Sequence, residues 1–408
     1  MMRATLLSRS FRTLRPVVAA ATIQRGPGPK PEPLASSSRA FSSRSYDSKL
    51  ALQSLGDSKF SDVCLEWAKL RMMRNELVGQ FADSVFDMAL KPGLQGKVAK
   101  TAIRPFMTLF CSDLPLNDVI EMLKQLNRDP GTVIFDFPNE QITDAAERDT
   151  TLAGYHAIFT HPEIKMGAVK VSGVIPIQDL TANNFERPIV QSGYQALRKL
   201  AQIAKDNGKL YIVDAEDLAI EGLCFEIACR LSDEFDNVMV TLQATRLDSL
   251  TRLEAFCADP AKPRKVKLVN GTYSADWSKF PKNFNGSKEE THANFKSILS
   301  AAQTFPHLTI LPCTHNPDLI LWASKELGHD KIGNLFGMHI ARALVEKGIE
   351  ELLYLVVGDF KSALLYLMRR WKEHKGSLEP RRELILFAAM MEMLNQKLSL
   401  LFGKSGDL

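Results

Sequence analysis

The sequence predicts an α/β chain whose central part is a (βα)8 barrel preceded by a helical segment. Three observations predict it. Between residues 130 and 376 short β-rich runs alternate with helical stretches, and such alternation builds a parallel sheet. Eight β/α units in roughly 240 residues have the size of a barrel closed on itself. Polar residues also gather at strand ends: Lys170, Asp214, Glu216, Gln243, Tyr273, His315 and Asn316 lie in the second half of a β-rich run or just past it. That is the rim on which barrel enzymes assemble their active sites from distant parts of the chain. For any one of these residues ordinary strand-end polarity is the alternative reading.

Residues 1–45 differ from everything that follows. Before residue 45 there are eight basic residues (Arg3, Arg9, Arg12, Arg15, Arg25, Lys30, Arg39, Arg44) against the single acid Glu32, with Ser-rich stretches and amphipathic spacing at Leu6, Leu7, Phe11 and Leu14. Arg-rich, Ser-rich, acid-poor ends of this kind match mitochondrial or plastid import signals. "GPGPKPEP" (26–33) reads as linker. The formal charge of the whole chain is +4, so the remainder is net negative and gives no reason to expect nucleic acid as a partner. Six scattered cysteines form no CxxC pair, which argues against a zinc site or a disulfide framework and suits a reducing compartment.

From residue 46 to 129 the pattern is helical, as in "SDVCLEWAKLRMMRNELVGQFADSVFDMAL". These helices are expected to pack on the barrel as a cover or partner surface. The barrel strands are then read at 132–137, 166–173, 209–216, 237–245, 265–273, 308–316, 332–338 and 352–358. With 45% hydrophobic residues the 408-residue chain can bury a large core, and it has no apolar run long enough to cross a membrane. No GxGxxG follows a strand and no GxxxxGK[ST] occurs, so neither nucleotide-binding device is indicated. His292, His307, His329, His339 and His374 are isolated, without the cluster a metal needs. No metal is expected.

The last barrel helix carries "LLYLMRRWKEHKG" (364–376). On a helix Tyr366, Arg369, Arg370 and Glu373 project from one face, and Leu364, Leu367, Met368 and Trp371 from the other. The polar face is either a solvated stripe or a clamp for a carboxylate, since guanidinium groups stay charged and can grip an anion bidentately. Residues 377–408 read as a C-terminal helix and tail.

"YLMRRWKEHKG" resembles the YLxRRxxENxG signature of the proline dehydrogenase family. In order upstream lie "VDAED", "LQAT", "KLVNGTY", "CTHN", "NLFGM" and "YLVVG", each similar to a motif of that family at the expected strand. The resemblance implies a distorted (βα)8 TIM-like barrel holding FAD at the strand C-termini, in a monofunctional protein. It implies oxidation of L-proline to pyrroline-5-carboxylate, with electrons passed to a membrane quinone by an enzyme in peripheral contact with the matrix side of the mitochondrial inner membrane. By the same resemblance Arg369, Arg370 and Lys170 match cations that hold the proline carboxylate, and Asp214 an aspartate beside them. Tyr354 and Leu335 match residues packed on the proline ring, while Tyr366 and Tyr273 match the site wall. Lys267 and Gln243 match residues near the flavin ring, and Val269, Gly271, Thr291, His315, Asn316 and Glu373 further FAD contacts. "NGTYSADW" departs from the family at Asn270 and Ser274, "YLVVG" lacks its proline, and "EHKG" replaces the usual Glu-Asn.

Three competing functions follow. A 4-hydroxyproline oxidase is one, although relatives of that kind tend to carry a smaller residue at the position of Tyr354. An inactive FAD-binding regulatory homologue is another, motivated by Asn270 and Ser274. A Schiff-base aldolase using Lys170 is the third, opposed by the neighbouring charges, which keep a lysine protonated.

Overall fold

The computed structural model describes residues 84–91, 93–107, 111–125, 127–271, 281–335 and 349–374, with Cys64 apart. The expected leader and the C-terminal helix and tail lie outside the described residues, as does most of the N-terminal helical segment. What is described of that segment is helical, over Leu94–Met107 and Leu116–Gln125.

All eight expected barrel strands form. They are β2 (Val133–Asp136), β3 (Met166–Val169), β4 (Leu210–Val213), β5 (Val238–Gln243), β6 (Arg264–Val269), β7 (Leu308–Cys313), β8 (Lys331–Leu335) and β9 (Glu350–Val357). Each pairs in parallel with the next, and β9 pairs with both β8 and β2, so the sheet closes into a ring. One strand was not expected. The two residues of β1, Cys111–Ser112, pair with Val356 and Val357 of β9.

The period of two along each strand sorts side chains into two cores. Val133, Phe135, Val169, Tyr211, Val213, Val238, Val240, Leu242, Leu353 and Leu355 point outward and pack with the surrounding helices. Ile134, Met166, Ala168, Ile212, Met239, Leu311, Tyr354 and Val356 alternate with them and form the inner core. Each fully buried aliphatic side chain contributes about 1.5–3 kcal/mol. Because the strands are buried on both faces, inward-facing polar groups at their C-terminal ends stand out.

Local chemistry sets the helix starts. Asp144 accepts a hydrogen bond from the Glu147 amide and Glu147 accepts one back from the Thr143 amide, which opens the helix Ala145–Thr160. Asn316 caps the helix Pro317–Leu327, whose proline at the first position needs no amide partner and whose end is turned by Gly328 at φ 69°.

The helix Phe360–His374 behaves differently from its fellows. Asp359 caps it, accepting from the Lys361 and Ser362 amides. Its buried residues Ala363, Leu364, Tyr366 and Leu367 join the inner core together with Ile103 and Met107, whereas the helices between Leu116 and Leu327 pack on the outer core. The last helix therefore lies against the barrel interior instead of flanking its wall.

Candidate functional site

Five charged or hydroxyl side chains from five strands meet inside the barrel. Asp136 closes β2, Lys170 follows β3, Asp214 follows β4, Lys267 belongs to β6 and Tyr354 to β9. The Lys170 ammonium donates to Asp136 Oδ2. Tyr354 Oη lies 2.7 Å from Asp136 Oδ2 and 2.6 Å from Asp214 Oδ2. Lys267 Nζ is 2.5 Å from Asp214 Oδ1 and 4.4 Å from the centre of the Tyr354 ring. A continuous chain results: Lys170, Asp136, Tyr354, Asp214, Lys267.

The chain is dry. Asp136 has no solvent exposure, and Lys170 and Lys267 have 6% each. Burial pushes the Asp136 carboxyl above the usual carboxylate range despite its lysine partner. Burial acts on Asp214 in the same sense, but Lys267, Lys170 and the bonds from Lys267 and Tyr354 outweigh it and hold that carboxyl below the usual range. The Lys170 ammonium is opposed by burial yet held above its ordinary value by Asp136, Glu140 and Asp214. The one phenol hydrogen of Tyr354 cannot serve two carboxylates at once, so the three oxygens are satisfied together only when a second proton is present. Of the two acids, Asp136 takes that proton first.

Of the residues expected at the site, Lys170, Asp214, Lys267, Tyr354 and Tyr366 come together. Tyr366 is 3% exposed and its ring centre lies 5.6 Å from Lys170 Nζ, so at Tyr366 the polar face of the last helix looks onto the site and not onto solvent. Arg369 and Arg370 follow Tyr366 by three and four residues on that helix. Their side chains, those of Glu373 and Leu335, and all of Tyr273 and Ser274 lie outside the described residues. The backbone of Leu335 is in register with Tyr354 on the neighbouring strand. Two pairings differ from the expectation: Lys170 is bonded to Asp136, with Asp214 reached through Tyr354, and Lys267 is bonded to Asp214.

A second group occupies the ends of β5 and β6. Gln243, 3% exposed, is in register with Val269. Gly271 holds φ +92°, and a Cβ there would sit 2.5 Å from Thr245 Cγ2, so only glycine allows this approach of the two segments. Gln243 Nε2, Thr245 Oγ1 and Asn270 Oδ1 are buried and have no partner among the described residues. An unmet buried polar atom costs roughly 1–3 kcal/mol, and three of them on adjacent strand ends suit the edge of a polar ligand that supplies both acceptors and a donor. Thr291 and Asn316 instead have local work: Thr291 Oγ1 donates to the Ser287 carbonyl at 3.0 Å, and Asn316 Oδ1 accepts from the Asp318 amide at 2.9 Å. His315 is partly buried beside Asn316.

Asp136 escaped the sequence reading. Its signal was present, an acid inside the apolar run "TVIFDF", since an acid on a strand buried on both faces must find a cation or stay protonated. Its partner Lys170 lies 34 residues away, and the parallel pairing of β2 with β3 joins the two.

Solved structures similar to this chain include three proteins titled proline utilization A. The one from Bdellovibrio bacteriovorus, described as inactivated by N-propargylglycine, matches with a TM-score of 0.66 and 18% identity over 81% of this chain and 41% of its own. That from Bradyrhizobium japonicum has a TM-score of 0.61 and 17% identity over 85% and 44%. That from Corynebacterium freiburgense has 0.58 and 18% over 78% and 35%. At these identities the likeness concerns the fold, and this chain spans about two fifths of the length of those proteins. No curated protein matches the sequence. The family model described as proline dehydrogenase covers residues 119–380, well over half of the chain and every barrel strand, and the chain therefore belongs to the proline dehydrogenase family.

Proposed function

We propose that this chain is a flavin-dependent proline dehydrogenase that oxidises L-proline to pyrroline-5-carboxylate. The observation that carries the reading is the buried chain Lys170–Asp136–Tyr354–Asp214–Lys267 at the C-terminal ends of the strands in a member of this family. A lysine kept charged in a dry cavity suits a small substrate with a carboxylate, and Arg369 and Arg370 are the proposed partners in that grip. The catalytic barrel is taken as 130–376, with Tyr273, Leu335, Tyr354 and Tyr366 as its proposed substrate wall.

FAD is the proposed cofactor, and the residues present fit it. Gln243 Nε2 and Thr245 Oγ1 can donate to, and Asn270 Oδ1 accept from, the hydrogen-bonding edge of a flavin, while Gly271 permits close approach. Lys267, Val269, Thr291, His315, Asn316 and Glu373 are its further proposed contacts. FAD, when bound, supplies the acceptor for the hydride that leaves the ring carbon beside nitrogen. The protein's part is placement. Lys170, with Arg369 and Arg370, fixes the carboxylate and so orients the ring, and fixed geometry of this kind accounts for much of what a protein adds when the cofactor carries the chemistry. Tyr354 confines the ring on one side. The helix Phe360–His374, packed on the barrel interior, keeps water from the reacting centre.

Transfer of electrons to a quinone, peripheral contact with the mitochondrial inner membrane and import through residues 1–45 complete the proposal. The basic, acid-poor leader supports the location. Among the described residues no helix is long and apolar enough to cross a membrane. Steady-state oxidation with a soluble quinone tests substrate and acceptor together: L-proline is expected to be turned over faster than trans-4-hydroxy-L-proline. The bulky Tyr354, held by two carboxylates, favours that order. Faster hydroxyproline oxidation would reverse the substrate assignment, and flavin binding without either activity would favour the inactive homologue.

A further inference from the structure

A second buried acid lies beside the site without belonging to it. Glu216 is 6% exposed and stands two residues beyond Asp214. Its Oε1 accepts from the Ser172 amide at 2.9 Å and its Oε2 takes the Ser172 hydroxyl hydrogen. Ser172, with no exposure, accepts in turn from the Gln141 amide at Oγ (2.9 Å) and from the Ile142 amide at its carbonyl (3.0 Å). Gln141 Nε2 donates to Asp217, next to Glu216, at 2.8 Å. The segments after β2, β3 and β4 are thus laced together through one serine.

That serine sets Lys170. Lys170 leads directly into a 3-10 turn, Val171–Gly173, and there is little slack in it. A Cβ on Gly173 would come within 2.7 Å of the Asn139 carbonyl oxygen, and the Gln141 backbone is held at φ 55°. Any shift of Ser172 is therefore passed to the residue two positions before it.

We propose that Glu216 is a positioning residue for substrate binding: its ionised carboxylate pins Ser172, and the pinned turn aims the Lys170 ammonium at the carboxylate of the amino-acid substrate. The inference rests on the proline site proposed above. Burial pushes the Glu216 carboxyl up to about 7, with Glu140 acting in the same sense and the two Ser172 bonds and Lys170 against it. Cys224 from the helix Leu218–Glu234, its Sγ 3.8 Å from Oε1, and Tyr155 from the helix Ala145–Thr160 are the other titratable groups facing it. On protonation the acid has a hydrogen of its own to donate. Ser172 Oγ already accepts from Gln141, so it then meets two donors and its own hydrogen loses its acceptor in a closed site. The pin loosens, and binding should suffer more than chemistry.

The test is the pH profile of the KM for L-proline, read beside kcat and flavin content. In the wild-type protein KM is expected to rise at least threefold from pH 8 to pH 6 while kcat per flavin changes less. Glu216→Gln keeps an acceptor for the Ser172 amide but points a donor at its hydroxyl. It is expected to raise KM about tenfold at pH 8, keep kcat within threefold and remove the pH limb. Ser172→Ala serves where Glu216→Gln does not fold: the hydroxyl through which protonation loosens the turn is gone, so KM should be raised at pH 8 and the limb lost. A flat wild-type KM between pH 6 and 8 would overturn the assignment, as would a wild-type limb retained in Glu216→Gln or left in place by Ser172→Ala. Absence of any saturable response to L-proline at pH 8 would overturn the proline site as well, which separates the two failures.

Discussion

Tyr354→Phe isolates the hydroxyl that joins the two acids. The ring remains, so no cavity opens and the contact with Lys267 at 4.4 Å survives. The oxygen 2.7 Å from Asp136 and 2.6 Å from Asp214 is lost. A hydrogen bond to a charged group contributes about 1.5–3 kcal/mol, and a buried acceptor left unmet costs about 1–3 kcal/mol. Asp136 keeps Lys170, and Asp214 keeps Lys267 and the Thr241 hydroxyl, so neither acid is left without a partner. One donated bond and one partly unmet oxygen give about 3 kcal/mol of lost stability. Equilibrium urea unfolding at pH 7.5 measures it, with the slope m expected to be unchanged. A change below about 0.5 kcal/mol, within the range of an ordinary surface substitution, would show that the hydroxyl does not bridge the acids.

Lys170→Met leaves Asp136 buried without its cation and should cost about 3–5 kcal/mol; adding Asp136→Leu should restore most of that in the same unfolding assay without restoring activity. Arg369→Met and Arg370→Met are each expected to raise the KM for L-proline by an amount equivalent to about 2–5 kcal/mol with flavin content unchanged, and unchanged KM in both would refute the clamp. Gly271→Ala forces a Cβ to 2.5 Å from Thr245 at a backbone angle only glycine holds easily, so stability should fall by about 2–4 kcal/mol and bound flavin should decrease, with partial recovery on adding Thr245→Ala. Burial pushes the Glu216 carboxyl from its ordinary 4.5 up to about 7, so it favours folding below pH 4.5 and that contribution fades as pH rises through about 7; the wild-type protein should lose roughly 3 kcal/mol relative to Glu216→Gln between pH 4.5 and 8.

The barrel was legible because its signal is repeated eight times. β-rich runs such as "TVIFDF" and "NVMVTLQAT" are apolar on both faces, as strands between an inner and an outer core must be. The ends were less legible. "MGAVKVSG" reads as one strand, yet the sheet stops at Val169 because the Ser172 turn, pinned by Glu216, coils the chain away. β1 was invisible, two residues being too short for any period to register. At the site, Lys170 and Asp214 were legible as polar residues at strand ends, but their partners are set by which strands pair. Lys170 meets Asp136 from the strand before it and Lys267 meets Asp214 from two strands back, distances of 34 and 53 residues. Tyr366 shows the limit of helix geometry taken alone. Its polar face reads equally well as solvated, and only the packing of that helix on the inner core decides between the two.

The most direct measurement is anaerobic mixing of L-proline with the purified, flavin-loaded protein while the visible absorbance of the bound flavin is followed. Complete bleaching, with one equivalent of pyrroline-5-carboxylate formed per flavin, is the expected result. A bound flavin that keeps its colour at saturating L-proline would contradict the account.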